Sequence, residues 1–185
     1  APNSALKPER SESIDVGVTL RTANGLGDIG LTYFDQDTTN LITFSFAVGG
    51  YENIAAARSK GFEVSGNYDF LDWLTGSVSY TNTDAKDGTG ARLVRVPEHS
   101  GDVQLRFNPD GKLSGNLLLR YNGEEQDSDG AVPSWTRVDL AGRYALKDSI
   151  EIYARIENLF DQQYQQILGY GTPGLSGHVG VRLNF

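Results

Sequence analysis

Cysteine is absent from the 185 residues. That excludes disulfides, thiolate nucleophiles and Cys-type zinc sites. Its absence fits an oxidising compartment. Long apolar runs are also missing. Apolar residues make up 38% of the chain and the mean hydropathy is −0.38. No stretch approaches the roughly 20 apolar residues of a membrane helix, so a helical membrane protein is excluded. A transmembrane β-barrel is not, because its strands need only about 10 residues with every second one apolar. No basic block exists either. Lys and Arg number 16 against 24 Asp and Glu, a net charge of −8, which argues against nucleic acid as a partner. The opening APNSALKPER has no apolar core, so no signal peptide is expected here, and an exported protein would carry its leader outside this sequence.

What is present favours strands. The chain holds 22 Gly, 9 Tyr and 8 Phe, a mix suited to β-structure with tight turns. Period-two alternation, the primary strand signal, recurs along nearly the whole chain. Ile14, Val16, Val18 and Leu20 oppose Asp15, Gly17, Thr19 and Arg21. After the Asn-Gly turn signal NGLGD, Ile29, Leu31 and Tyr33 oppose Gly30, Thr32 and Phe34. The pattern repeats over 62–69, 74–81, 102–107, 113–122, 137–144 and 150–157. It closes on GHVGVRLNF, where Gly177, Val179, Val181, Leu183 and Phe185 oppose His178, Gly180, Arg182 and Asn184. About nine strands are expected.

The connections alternate in length. NGLGD, DFLDW, NPDGK and ALKDS are short, whereas 35–57, 84–98, 123–134 and 158–174 are long and rich in Gly, Asp, Asn and Gln. Short turns at one end and long loops at the other is the layout of an outer-membrane barrel. The polar faces carry fixed charge strand after strand: Asp15, Arg21, Glu63, Asp102, Arg106, Arg120, Arg137, Asp139, Arg143, Glu151, Arg155, Glu157 and Arg182. Tyr33, Tyr68, Tyr80, Phe107, Tyr121, Tyr144 and Phe185 stand near strand ends, where aromatic girdles sit. Alternation alone also fits a soluble β-sandwich or lipocalin-like barrel, with inside and outside exchanged. Loop asymmetry and aromatic placement favour the membrane barrel.

Three segments resemble TonB-dependent outer-membrane receptors. LKPERSESIDVG (6–17) is similar to the LKPE segment that opens a barrel strand in that family. SKGFEVSGNYDF (59–70) is similar to its K-G-x-E strand. IENLFDQQYQQILGYGTPG (156–174) resembles its NLFD-x-x-Y signature before the final strand. Within the family, GYGTPG and VPEHSGDVQLRFNP resemble cobalamin-type receptors most. The resemblance implies an all-β, antiparallel up-and-down transmembrane barrel of about 22 strands with an N-terminal plug. This chain supplies about nine C-terminal strands, 1–185, without plug or TonB box. Nine strands alone would leave open edges that lipid does not tolerate. A fragment, or one piece of an assembled barrel, is therefore expected in the bacterial outer membrane. The implied partners are lipid, the remaining strands and plug, the TonB coupling protein acting through the plug, and the barrel-assembly machinery. Phe185 resembles the terminal aromatic which that machinery reads.

Little in the chain points to catalysis. GYGTPG (169–174) fits G-x-G-x-x-G, but the dinucleotide motif needs a preceding strand and a following helix, and here a strand follows Pro173. A Gly-rich loop apex is the better account. DSDG (127–130) resembles part of a calcium loop without the required Glu, and reads as a solvated acidic loop. His99 and His178 are isolated, which leaves a His-based metal site or triad without a partner set. Inward carboxylates are expected to balance Arg across strands. No enzyme activity, cofactor or metal site is expected.

Binding is the better expectation. Loops at one end of a barrel are where ligands meet the outside. Tyr51, Asn53, Trp135, Tyr164, Gln166 and Tyr170 can pack and hydrogen-bond a bulky polar ligand, although each also suits an interface anchor or loop packing. The resemblance implies import of a large scarce nutrient, cobalamin first and a ferric siderophore second. The alternative is a soluble or oligomeric, adhesin-like structural β-domain, which predicts a dry apolar core.

Overall fold

The computed structural model describes residues 3–53 and 56–184. Nine strands form one antiparallel sheet: β1 (Arg10–Arg21), β2 (Gly27–Thr39), β5 (Ala56–Leu71), β6 (Leu74–Asp87), β7 (His99–Phe107), β8 (Leu113–Asn122), β11 (Trp135–Lys147), β12 (Ile150–Glu157) and β15 (Ser176–Leu183). They pair in sequence order, each with the next, as an up-and-down meander. Both β1 and β15 have a partner on one side only among the described residues. The closing strand pairs with β12, from Glu157↔Ser176 to Ile150↔Leu183. Phe185 and the rim position expected for it lie outside the described residues.

The short turns are closed by their own side chains. In NGLGD, Thr22 Oγ1 accepts the Gly27 N–H at 2.9 Å, and Gly25 takes φ +73°, a conformation glycine adopts freely. In NPDGK, Asp110 Oδ1 accepts the N–H groups of Lys112 and Leu113 at 2.9 and 2.8 Å. Those two bonds favour the charged carboxylate and hold Asp110 below its usual range. The glycine of the K-G-x-E strand has a steric reason of its own. A Cβ on Gly61 would collide with the carbonyl oxygen of Asn82 on the neighbouring strand.

The long loops differ from expectation. Much of 35–57 is strand: β2 runs on to Thr39 and β5 begins at Ala56. β6 likewise continues to Asp87. Three of the four long connections carry small hairpins of their own: β3 (Ile42–Ser45) with β4 (Gly50–Asn53), β9 (Glu125–Asp127) with β10 (Gly130–Val132), and β13 (Gln165–Ile167) with β14 (Tyr170–Gly171). Backbone groups that leave a sheet must still find partners, and pairing within the loop supplies them. The polar composition of these segments concealed that pairing.

The two faces of the sheet differ as the alternation requires. Val64 pairs with Leu31 and Tyr80, Val103 with Val78 and Leu119, and Leu140 with Leu117 and Ile156, so apolar side chains share one face. That face is uncovered. Val179 is 79% exposed, and Ile14, Val16, Leu20 and Val181 are all exposed. A soluble sandwich would bury these residues in a dry core, and no second layer covers them among the described residues. Aromatic residues flank the apolar band. Tyr33, Phe62 and Tyr80 form a row toward the loops, with Phe62 and Tyr80 rings 6.0 Å apart, and Tyr68 with Phe70 marks the turn end. From Phe62 to Tyr68 is six residues, about 20 Å of strand, close to the apolar height of an outer-membrane barrel. Beyond the upper row the same face becomes charged, where Arg58 bridges to Asp35 at 2.6 Å.

The opposite face is polar, and part of its charge pairs across strands as expected. Arg120 meets Asp102 at 3.1 Å across β7 and β8, and Arg182 meets Glu151 at 2.8 Å across β12 and β15. Two other pairs, Arg137–Asp139 and Arg155–Glu157, lie along single strands instead. The sequence runs that mark the charged face therefore do double duty, between and within strands.

Candidate functional site at the loop end

The buried side chains of this open sheet concentrate at the loop end. They are Ala57, Ala85, Val132, Trp135 and Val138, with Glu125, Asp127 and Asn158 among the polar ones. The chain thus builds its only packed core among the described residues where the long loops meet.

Asn158 organises one part of it. It is 2% exposed and adopts φ +54°, a left-handed conformation that Asn tolerates better than most residues. Its Nδ2 donates to the carbonyls of Gln162 and Pro173, and its Oδ1 accepts the Gln162 N–H at 2.9 Å. Its own N–H donates to Asp139 Oδ1 at 2.9 Å. Asp161 Oδ1 accepts the Leu175 N–H at 2.8 Å. Tyr164 stacks on Trp135 with ring centres 4.5 Å apart, and its hydroxyl accepts a hydrogen bond from Arg137 Nη1 at 3.0 Å. Asn158 and Tyr164 of NLFDQQY therefore fold the last loop down onto β11, and Asp161 ties it to Leu175 before β15.

Asp127 ties three loops together. Arg95, in the β6–β7 loop, donates to its Oδ1 through Nε at 3.1 Å and Nη2 at 3.0 Å. Leu168, in the β13–β14 hairpin, donates its N–H to Oδ2 at 2.9 Å. Ser128 N–H adds a bond at 2.7 Å. The Leu168 N–H, then the Arg95 guanidinium, favour the carboxylate and lower its pKa to about 2. DSDG is a solvated loop only in part, with Ser128 and Asp129 exposed. Its first carboxylate is buried and committed to Arg95 and two backbone amides. No cluster of three or more metal-ligating side chains occurs among the described residues. GYGTPG forms the tip and return of the last hairpin, with Gly169 at φ +84° and β15 following.

LKPE does similar work at the other side. Lys7 N–H donates to Asn53 Oδ1 at 2.8 Å, and Asn53 Nδ2 donates to the carbonyls of Lys7 and Asn40. Glu9 Oε1 accepts the Ile42 N–H at 2.7 Å. The segment clasps the β3–β4 hairpin before β1 begins.

The six expected ligand residues fall into three situations. Trp135 (5% exposed) and Tyr164 pack together inside the loop core. Asn53 spends both Nδ2 protons on backbone carbonyls. Tyr51 (55% exposed), Gln166 and Tyr170 (71% exposed) face outward. Tyr51 packs edge-on against Phe44 at 5.5 Å in the β3–β4 hairpin, whereas Gln166 and Tyr170 belong to the β13–β14 hairpin. Five strand steps separate β5 from β12 in the sheet, about 24 Å along its arc. Arg95, Asp127, Asp139 and Asn158 organise these loops and were not singled out as site residues by sequence reasoning. Asn158 had a signal there as the first residue of NLFD, Asp127 as the first residue of DSDG and Asp139 as one of the polar-face charges, whereas Arg95 had none.

Comparison with known proteins follows this geometry. The sequence model of the family described as TonB dependent receptor-like, beta-barrel matches residues 1–159. The metal-pseudopaline receptor CntO of Pseudomonas aeruginosa is 30% identical over 177 residues, covering 88% of this chain and 25% of the receptor. The iron-regulated outer membrane virulence protein of Vibrio cholerae is 28% identical over 210 residues, covering 99% of this chain and 32% of that protein. The crystal structure of the siderophore receptor PirA from Acinetobacter baumannii superposes with a TM-score of 0.79 at 21% identity, over 97% of this chain and 32% of that one. The chain thus spans about a quarter to a third of the length of the proteins it matches.

Proposed function

The chain belongs to the TonB-dependent receptor β-barrel family of the bacterial outer membrane, and from that premise we propose that it forms barrel wall and outer loops of a receptor importing a metal chelate such as a ferric siderophore. The family is one of receptors and transporters rather than enzymes. One observation carries the reading. A meander with every long loop at one end has an aromatic-bounded apolar face on one side and a charged face on the other. That is a lipid-facing wall around a polar lumen.

In this reading 1–185 is the C-terminal part of the barrel, and the plug and its contact with the TonB coupling protein belong to other parts of the receptor. The free edges of β1 and β15 meet the remaining strands, and Phe185 addresses the barrel-assembly machinery. Tyr51, Gln166 and Tyr170 contact ligand. Trp135, Tyr164 and Asn53 hold the loops that present them. The names of the relatives described above support siderophores and metal chelates over cobalamin, which drops to second place.

Uptake tests the reading. Cells whose only outer-membrane receptor carries this chain are given radiolabelled ferric siderophores, metal chelates or cobalamin, with and without the coupling protein. Coupling-dependent accumulation of an iron or metal chelate is expected. Accumulation of cobalamin alone would move the substrate to the second choice, and none in any arm would sink the transport reading.

A further inference from the structure

Trp135 lies in the loop core, and its Nε1–H is buried without a hydrogen-bond partner among the described residues. A buried donor left unpaired destabilises the state that buries it. Its polar neighbours are paired: Asn158 through both ends of its amide, Asp127 through Arg95 and two backbone amides, and Tyr164 through Arg137. What covers the indole is the Tyr164 ring, and the segment that carries Tyr164 is built as a flap. Asn158 Nδ2 holds both of its feet, donating to the carbonyls of Gln162 and Pro173 at 3.0 and 3.3 Å. Between the feet, β13 and β14 pair with each other, and Thr172 Oγ1 donates to the Tyr164 carbonyl at 2.8 Å. Apart from the Gln162 side chain at its foot, the span 163–172 makes two hydrogen bonds to the rest of the chain among the described residues. They are Leu168 N–H to Asp127 and Arg137 to the Tyr164 hydroxyl. The β3–β4 hairpin, by contrast, is clasped by four hydrogen bonds to residues 3–9.

We propose that 163–172 is a lid, and that the Trp135 floor beneath it is a ligand site for an aryl group carrying an acceptor oxygen. The inference rests on the receptor reading above and names the part of a chelate that this loop core receives. Closed, Tyr164 on Trp135 holds the loop down. Opening breaks two hydrogen bonds and one ring contact, and it releases the stranded indole N–H. The uncovered floor then offers an aromatic face for stacking and one free donor that fixes orientation, the usual make-up of a small-ligand site. A ligand that stacks on the indole and accepts from Nε1 binds the open state alone, so it shifts the lid toward that state. Gln166 and Tyr170 ride on the outside of the same lid.

Amide exchange on the intact receptor, without ligand, tests the lid. Leu168 should exchange about tenfold faster than Gln162 and Leu175, whose N–H groups bind Asn158 and Asp161 at the base. Tyr164→Phe keeps the ring and loses the Arg137 bond. It should speed Leu168 about tenfold more and leave Gln162 and Leu175 unchanged. Replacing Trp135 by benzothienylalanine keeps the shape and removes the N–H. A closed state that strands no donor opens less, so Leu168 should slow about tenfold. Three amides that exchange together, or a Leu168 that quickens in the benzothienylalanine receptor, overturn the lid. Circular dichroism identifies a variant that has not folded, and the three amides of the unaltered receptor then decide. Two probes, a ferric tris-catecholate and ferric citrate, test the floor. The catecholate should bind at least tenfold more tightly than citrate and lose about tenfold on the benzothienylalanine receptor. Citrate the tighter of the two, binding of neither, or no loss on removal of the N–H overturns the floor as the site. The uptake assay above separates this failure from failure of the receptor reading, which stands if any iron or metal chelate accumulates.

Discussion

Arg95 and Asp127 are 32 positions apart and meet at 3.0 Å, joining the β6–β7 loop to the β9–β10 hairpin. Because Leu168 N–H binds the other carboxylate oxygen, one side chain fixes three loops. The depressed pKa of about 2 sets the direction of its pH response. A carboxylate with a folded pKa below its unfolded value of about 4 contributes its full stability above pH 4 and loses it as pH falls toward 2. Amide exchange at Leu168 should stay slow from pH 8 to pH 4, after correction for intrinsic rates, and should quicken between pH 4 and 2. Asp127→Asn should remove that pH step and raise exchange about tenfold at neutral pH.

Asn158→Ala should cost about 2–3 kcal/mol, since it strands the Gln162 N–H and two carbonyls in a buried place. Asn158→Gly suits the positive φ and still loses the same bonds, so it should recover only part of the loss. Urea unfolding in detergent micelles measures both. Equal stability of Asn158→Ala and the unaltered chain would show that the amide organises nothing.

Exposed and buried aromatics should separate in a paired assay. Tyr170→Ala and Tyr51→Ala should shift stability by no more than about 0.5 kcal/mol while weakening chelate binding by the intact receptor. Trp135→Ala should cost about 3–5 kcal/mol of folding stability, as for other buried Trp truncations. If Tyr170→Ala and Tyr51→Ala both leave chelate affinity unchanged, those residues do not contact ligand.

The two faces predict opposite tolerance to charge. Val64→Arg, between Leu31 and Tyr80 on the apolar face, should destabilise the barrel by about 2–4 kcal/mol. Ser65→Arg, one position on and facing the lumen, should be near neutral. Folding of the receptor into liposomes of defined thickness reads the difference. The reverse order would exchange lipid and lumen.

The strands were legible because alternation is written into side chains. Val16, Val64 and Val103 mark the lipid face by their own chemistry, and NGLGD and NPDGK mark turns by residues with few alternatives. The loop hairpins were not legible. In β9–β10 and β13–β14 the pairing follows from backbone groups that need partners, and Gln, Asp and Gly there have weak strand preference. Strand ends were misjudged for a related reason. Beyond Tyr33 the outward face of β2 turns to Asp35 and Asp37, so the apolar signal stops where the lipid stops, although the strand does not. Site residues were half legible. An aromatic's presence in a loop is visible, but Trp135 is buried because Tyr164, 29 positions on, covers it, and that is a matter of tertiary packing.

Strand length gives the mouth of this wall a slope. β5 runs for 16 residues, whereas β12 and β15 run for 8 each. Eight residues amount to about 26 Å of strand. One flank therefore stands as a stiff palisade well clear of the bilayer, crowned by the β3–β4 hairpin. The other ends low, with its last loop folded down over the wall. On the proposed reading, a bulky ligand arriving over this part of the wall meets the taller β5 flank on one side and the lower β12–β15 flank beneath Tyr170 on the other.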